Sequence, residues 1–307
     1  VLPAQAPTPN MAQIPGGFLN TELWSELPVE QFIAQEYPVA RKTGLPLIIS
    51  LGYTAGDITD LAPRVRPFAD ALELSTHYIG DDPSPMVQAI QAAKAAVDVP
   101  VFVKLSPFRD MRAAAQAAAE AGADGIVAVN SFGPCLGVDV ETGRMLMGSR
   151  DGYGWLSGPA LKPLALRCVF DVARSTSIPI IGVGGISNGV DAIEFLMVGA
   201  SAVGVCTAAI LRGPQVFGKI VAEMNAWLVN EPPRTFREAC QWILWYQITA
   251  RMYNGSGSLG RLDVLLTPYY ERDIAAGILT DEEAILHIAS LLVRDTAYLQ
   301  VGGQNMQ

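Results

Sequence analysis

Two short apolar segments, each ending in small residues, constrain the fold of this chain more than any other feature. They are Pro179–Ser187 (PIIGVGGIS) and Ala202–Ala208 (AVGVCTA), and the amphipathic segment Gly189–Gly199 lies between them. A continuous apolar run is typical of a parallel strand buried on both faces, and two parallel strands need a crossover helix between them. The three segments therefore predict a β-α-β unit.

Both predicted strands end in residues that let a ligand come close to the backbone. Gly184 and Gly185 have no side chain to block such an approach, and the first N–H groups of a following helix favour an anion. In a (β/α)8 barrel, consecutive strand ends of this kind are the usual place for a phosphate. We therefore expect a flavin or nucleotide phosphate here, and two ordinary tight turns are the alternative.

The same alternation extends over most of the chain. Apolar runs at 47–51, 72–76, 101–105 and 125–130 precede the two opening segments, and each is followed by a helix or a connection of helical length. Such a pattern indicates a parallel sheet with right-handed crossovers. A closed barrel needs eight strands, so we predict an α/β fold of the TIM (β/α)8 type, truncated at its N-terminus to about six units. Residues 1–20 and 131–158 are expected to be irregular.

The pattern of predicted secondary structure changes after the Pro-rich segment at 230–233. Helices are predicted at 235–253, 263–276 and 281–298, and no strand alternates with them. Thr280 and Glu283 have the spacing of a capping box, which marks the start of the last helix. We therefore divide the chain into a barrel domain, residues 1–230, and an all-helical segment, residues 231–307.

Composition excludes several classes of function. The net charge of −9 argues against nucleic acid or an anionic membrane as the main partner, and no apolar run approaches the length of a membrane span. The four cysteines are widely spaced and the chain has only two histidines, so no metal site is expected. Unpaired thiols of this kind predict a cytoplasmic protein.

Five motifs occur in one order along residues 16–228, and together they resemble the FMN-dependent dihydroorotate dehydrogenase family, including the pyrimidine-reducing domain of dihydropyrimidine dehydrogenases. The motifs are Val103–Pro107 (VKLSP), Val129–Ser131 (VNS), Gly152–Gly158 (GYGWLSG) with Lys162–Leu166 (KPLAL), Gly182–Ile186 (GVGGI) and Gly204–Ala208 (GVCTA). The resemblance implies an FMN-dependent oxidoreductase that acts on a CH–CH or C=C bond of a small cyclic amide.

The resemblance also implies roles for particular residues. Lys104 would lie against the electron-rich edge of the flavin, where a cation stabilises the reduced ring; a lysine that extends from a strand end towards solvent is the alternative. The FMN phosphate would be held by Ser157, Gly158, Gly184, Gly185, Cys206 and Thr207. The substrate would be hydrogen-bonded by Asn20, Asn130 and Ser131, because amides and hydroxyls can pair with a planar imide.

The loop after the second predicted strand departs from the family pattern. The family has substrate-binding asparagines and a Cys or Ser base there, whereas this chain reads Ser75-Thr-His-Tyr-Ile-Gly80. His77 is the candidate general base, since a neutral imidazole suits proton abstraction near pH 7. A surface histidine without a catalytic role is the alternative. Because two barrel strands are absent, we also expect an open or irregularly closed barrel that binds FMN weakly or not at all.

Residues 231–307 resemble a second family, the glycyl radical enzymes related to pyruvate formate-lyase. The motifs are Pro232–Gln241, Leu259–Asp263, Pro268–Tyr270, Leu279–Ala284 and Val301–Gln304. The match does not include the active-site cysteine or the glycine-radical loop of that family, so it implies a scaffold. An inert flavin- or phosphate-binding barrel fused to a helical interaction module is therefore the alternative to an enzyme, and unpaired sheet edges leave a homo-oligomer open.

Overall fold

The computed structural model describes residues 5–21, 25–75, 82–107, 110–230, 233–244 and 261–303. By its internal contacts the chain separates into two compact units, Val1–Met224 and Asn225–Gln307. The division into 1–230 and 231–307, which concerns the parts that fold independently, stays a prediction. In the described residues, no helix is both long enough and apolar enough to cross a membrane.

A six-stranded parallel sheet forms the centre of the first unit. Its strands follow one another in sheet order as β3 (Ile48–Leu51), β4 (Ala71–Ser75), β5 (Val101–Leu105), β6 (Gly125–Ala128), β11 (Ile180–Val183) and β12 (Ala202–Gly204). All five neighbouring pairs are parallel. Strands β3 and β12 are the two edges, so the predicted open barrel of six β-α units is confirmed.

Helices precede, connect and follow these strands. They are α1 (Val29–Gln31) and α2 (Tyr37–Arg41), joined by the π-helix Phe32–Glu36, then α3 (Ala55–Val65), α4 (Ser84–Ala96), α5 (Met111–Glu120), α6 (Lys162–Ala173), α7 (Gly189–Met197), α8 (Thr207–Arg212) and α9 (Gln215–Asn230). Helix α3 starts with a capping box between Thr54 and Asp57. Buried apolar residues of α3 to α7 contribute to the core against the sheet, and β3, β5 and β11 alternate between buried and more exposed residues.

A second, antiparallel sheet is made by the segments that we expected to be irregular. Strands β1 (Met11–Ile14) and β2 (Gly17–Asn20) form a hairpin, and β2 pairs with β10 (Tyr153–Ser157), which pairs with β7 (Phe132–Leu136). Between β7 and β10, the short strands β8 (Val138–Asp139) and β9 (Arg144–Met145) pair with each other. The expectation of irregular structure at 1–20 and 131–158 was wrong. Strands β1, β2, β7 and β10 are only four or five residues long, and the pair that joins the two segments, β2 with β10, connects residues more than 100 positions apart, so neither segment signals a strand alone.

The second unit is helical. Residues 236–244 form α10, followed by α11 (Leu262–Ala275) and α12 (Asp281–Gly303). Phe236, Leu244, Leu266 and Leu291 lie in its apolar core. The predicted capping box of the last helix is confirmed, because the Glu283 N–H donates to Thr280 Oγ1 and the Thr280 N–H donates to Glu283 Oε2.

The core of the first unit depends on an aromatic side chain under strand β11. Phe195 in α7 is fully buried, and a Cβ added at Gly182 would lie 2.6 Å from its ring. The Phe195→Ala variant should lower the free energy of unfolding by about 3–5 kcal/mol, because the cavity it leaves is lined by rigid backbone.

Urea unfolding measures this loss, with Phe170→Ala as the control. Phe170 in α6 is 40% exposed and its ring centroid lies 5.3 Å from Arg174 Cζ in a cation–π contact, so loss of the ring should cost about 1 kcal/mol or less. Equal losses for the two variants would contradict the placement of Phe195 under the sheet.

Candidate functional site

A cavity of about 820 Å³ lies where the parallel strands end. Its wall includes residues at or just after the carboxyl ends of β3, β5, β6, β11 and β12, among them Ser50, Lys104, Asn130, Gly184 and Cys206. Strands β2 and β10 of the antiparallel sheet contribute further lining residues. The volume is within the range of small-molecule and cofactor sites, and the position is that of the active site in α/β barrels.

Ten of the residues singled out from the sequence line this one cavity. They are Asn20, Lys104, Asn130, Ser131, Ser157, Gly158, Gly184, Gly185, Cys206 and Thr207. They come from six separate parts of the chain, so their convergence is a property of the fold. The eleventh, His77, lies outside the described residues.

The glycine-rich part of the wall is closely packed backbone. Gly158, Gly184 and Gly185 have φ angles of 93°, 134° and 82°, which favour glycine. A Cβ on Gly185 would lie 2.7 Å from the carbonyl oxygen of Gly158 and 2.9 Å from the backbone nitrogen of Lys162. The loop after β11 and the start of α6 therefore approach each other as only glycine allows.

A buried carboxylate holds the loop after β11 in place by hydrogen bonds. Asp191 in α7 accepts hydrogen bonds from the N–H and the hydroxyl of Ser187, both at 2.8 Å, and from Lys162 Nζ at 2.6 Å. Lys162 Nζ also donates to Glu194, at 2.7 Å. Burial opposes ionisation, but the bonds from Lys162 and Ser187 outweigh it and hold the pKa of Asp191 below its usual value.

Helix α8 also begins in the cavity wall. Cys206 is its N-cap residue, and the Thr207 hydroxyl donates to the Ser157 hydroxyl at 3.2 Å. The first N–H groups of a helix have no partner within the helix. Hydroxyls and backbone N–H groups thus lie together at the ends of β10, β11 and β12, where they can hold an anion without a fixed positive charge.

Lys104 is the cation of the cavity wall. Its Nζ lies 3.3 Å from Glu73 Oε1, and Glu73 Oε1 also accepts a hydrogen bond from Ser50 at 3.2 Å. The side chains of Lys104 and Glu73 are 23% and 17% exposed. The pair joins the neighbouring strands β4 and β5, which holds the ammonium at the strand ends instead of letting it extend into solvent.

Amide side chains line the other part of the cavity. Asn20 Nδ2 donates to the carbonyl oxygen of Trp155 at 3.1 Å, across the β2–β10 pair. Asn130 Nδ2 donates to the Ser75 hydroxyl at 3.3 Å, and its Oδ1 accepts from the N–H of Ser131 at 2.9 Å. Asn20 is thus oriented by one of these contacts and Asn130 by two.

Several lining residues were missed by the sequence reasoning. Ser50 is the next-to-last residue of the predicted strand 47–51, and Trp155 belongs to the motif Gly152–Gly158. Sequence position alone could therefore have suggested both. Glu73 is not a lining residue but contacts Lys104, and strand register could have suggested it, since it lies two residues before Ser75, the partner of Lys104 on the next strand. Thr21 had no such signal, because the hairpin that buries it was not predicted.

The cysteines carry free thiols, and Cys168 and Cys240 are buried. Burial raises the pKa of each of these two thiols to about 11, so both are inert at neutral pH. In the described residues no group of three or more His, Cys, Asp or Glu side chains could hold a metal ion.

Fold and cavity together define an α/β barrel-type protein with a cofactor-sized site at the carboxyl ends of its strands. The family model described as dihydroorotate dehydrogenase matches residues 5–228. The catalytic subunit of dihydroorotate dehydrogenase B (NAD(+)) from Methanothermobacter thermautotrophicus is 38% identical over 235 residues, which are 73% of this chain and 76% of the relative. The same subunit from Methanocella arvoryzae is 41% identical over 213 residues, 65% of this chain and 68% of the relative.

The chain belongs to the dihydroorotate dehydrogenase family and is therefore an oxidoreductase by descent. A flavin is the class of cofactor that this membership implies. The fold agrees: a crystal structure of dihydroorotate dehydrogenase (DHODH) from Eimeria tenella with ferulenol matches with a TM-score of 0.63 and 24% identity, covering 75% of this chain and 73% of that one.

A second family model, described as pyruvate formate lyase-like, matches residues 219–304. Both resemblances expected from the sequence are therefore confirmed. The two matches overlap at residues 219–228, inside α9. The junction between them is thus a continuous helix.

The Asp191 network makes the stability of the first unit depend on pH. Stability due to ionised Asp191 is fully present above the pKa of the unfolded carboxyl, about 3.9, and is lost as pH falls through the lower pKa of the folded state. The Asp191→Asn variant lacks this dependence. Urea midpoints measured between about pH 6 and about pH 3 should fall more steeply for wild type than for the variant. Parallel curves would contradict this role of Asp191.

Proposed function

We propose that this chain binds FMN in the cavity and oxidises a CH–CH bond of a cyclic amide of the dihydroorotate type. The observation that carries the proposal is the convergence of the ten residues on one cavity. The names of the relatives, dihydroorotate dehydrogenase B catalytic subunits, support the choice of substrate.

The donors at the ends of β10, β11 and β12 fit a phosphate. Gly184 and Gly185 line the cavity, the Ser157 and Thr207 hydroxyls lie 3.2 Å apart, and α8 begins beside them. Neutral donors of this kind bind an anion by hydrogen bonds and by the partial charge of a helix start. We assign the phosphate of FMN to this part of the cavity, with Gly158 and Cys206 contributing to the same wall.

Lys104 is the group that would contact the flavin ring. FMN, when bound, supplies the acceptor for the hydride that leaves the substrate. The ammonium of Lys104 favours negative charge beside it, and Glu73 fixes its position before any ligand binds. A preoriented charge stabilises a developing charge more effectively than one that must first be ordered.

Asn20, Asn130 and Ser131 would bind the cyclic amide. An imide edge presents carbonyl oxygens and an N–H, and amide side chains can match both. Loss of two hydrogens from adjacent carbons also releases a proton, so a proton acceptor is needed. We assign this role to His77, two residues after the end of β4, where Ser75 lies beside Lys104 in the sheet.

The relatives are named catalytic subunits of an NAD(+)-type enzyme. We infer that this chain likewise passes its electrons to a partner chain, and that it works in the cytoplasm. A homo-oligomer remains an alternative assembly.

Anaerobic mixing with dihydroorotate tests the proposed reaction. The FMN-loaded protein should lose its flavin absorbance near 450 nm, roughly the band of an oxidised flavin. The Lys104→Met variant should be reduced about 100-fold more slowly, because the charge on the reduced ring loses its cation. Lys219→Met, which removes an exposed lysine of α9, is the control and should behave like wild type.

The His77→Ala variant separates hydride transfer from proton removal. If His77 accepts the proton, the variant should lose the rise of rate with pH that deprotonation of an imidazole produces. A loaded wild-type protein that dihydroorotate does not reduce would refute the proposed reaction and favour an inert flavin-binding barrel.

A further inference from the structure

The side chain of Glu73 lies between two residues of the cavity wall. Glu73 is paired with Ser50 on β3, and Ser75, two residues further along β4, is paired with Lys104 on β5. Because successive side chains of a strand point to opposite faces, Ser50, Glu73 and Lys104 share one face of the sheet. Ser50 and Lys104 both line the candidate active-site cavity. Glu73 is therefore placed to act on the cavity through its neighbours.

One carboxylate oxygen joins these three side chains. Lys104 Nζ lies 3.3 Å from Glu73 Oε1, and the Ser50 hydroxyl donates to the same oxygen at 3.2 Å. The side chains of Lys104 and Glu73 are 23% and 17% exposed, and among the described residues neither takes part in another ion pair. Charges that are mostly removed from water interact more strongly than a surface pair.

The ion pair brings a negative charge as well as a positive one to the part of the cavity assigned to the flavin ring. A lone ammonium favours the reduced, more negative flavin and so raises its reduction potential. A carboxylate beside the ammonium weakens the field that the cation produces outside the pair, because the two charges are opposite in sign. Glu73 therefore has a consequence for the flavin beyond holding Lys104 in place.

We propose that Glu73 is a positioning residue that lowers the reduction potential of the bound flavin by offsetting part of the charge of Lys104. This inference rests on the proposed function, because it assumes that FMN occupies the cavity. Glu73 acts only through Lys104 and takes no part in the transfer of hydride or proton. A lower potential favours the transfer of electrons from the reduced flavin to an acceptor.

Three variants separate the charge of Glu73 from its position. Glu73→Gln keeps a side-chain oxygen that can accept from Lys104 and Ser50, but it removes the negative charge. Glu73→Asp keeps the charge on a shorter side chain. Lys104→Met removes the cation, so its effect on the reduction potential should be opposite in sign to that of Glu73→Gln.

The experiment equilibrates the FMN-loaded full chain with redox dyes of known potential and follows the flavin spectrum. Glu73→Gln should favour the reduced flavin about tenfold, which is a rise of about 30 mV for a two-electron couple. Glu73→Asp should stay within about threefold of wild type, and Lys104→Met should favour the oxidised flavin. Glu30→Gln is the matched control, because it breaks an exposed ion pair with Arg64, and its potential should equal that of wild type.

The melting temperature of each ligand-free variant is measured beside the potential. A melting temperature of Glu73→Gln that falls while the potential is unchanged means a structural role, and an unchanged potential by itself also refutes the inference; both leave the proposed function intact. A potential that falls, as for Lys104→Met, overturns the inference too, because Glu73 then acts only by holding the ammonium. A wild-type chain that does not bind FMN refutes both this inference and the proposed function.

Discussion

The hydrogen bonds of Asp191 hold together the part of the structure on which the site depends. The carboxylate is almost completely buried, and it receives two bonds from Ser187 and one from Lys162. A buried charge is tolerated only when it is paired and hydrogen-bonded, so this network has to form for the chain to fold here. Because Ser187 ends the loop that begins at Gly184, the same network fixes the glycine backbone at the cavity wall.

The cavity is a product of two sheets. The parallel sheet supplies strand ends with Lys104, Asn130 and the glycine-rich loops, and the antiparallel sheet supplies Asn20, Thr21 and Ser157. Hydrogen bonds connect residues that are far apart in sequence, such as Asn20 with Trp155 and Thr207 with Ser157. Polar groups are therefore oriented before a ligand arrives, and binding need not order them first.

The parallel sheet could be predicted from the sequence, because buried strands alternating with helices leave a strong periodic signal. The same holds for the glycine-rich loops and for Lys104 at a strand end. The antiparallel sheet could not be predicted. Its strands are four or five residues long, and the β2–β10 pair that unites them joins residues more than 130 positions apart.

The site residues that were missed are those that depend on contacts between distant parts of the chain. Thr21 becomes buried only when the hairpin closes, and Glu73 acquires a role only when β4 pairs with β5 and its carboxylate comes within 3.3 Å of Lys104 Nζ. Neither the burial of Thr21 nor the contact of Glu73 with Lys104 can be predicted from the neighbouring residues in the sequence. The confirmed capping box at Thr280 is the opposite case, since every contact it needs lies within four residues.

Titration of the full chain with FMN tests the central claim most directly, because every enzymatic step requires the flavin to occupy the cavity. Quenching of FMN fluorescence should saturate at one FMN per chain, with weak affinity since the sheet is open. The Lys104→Met variant should bind still more weakly, and Lys219→Met should match wild type. Absence of saturable binding by wild type, or equal binding by both variants, would contradict the assignment of this cavity to FMN.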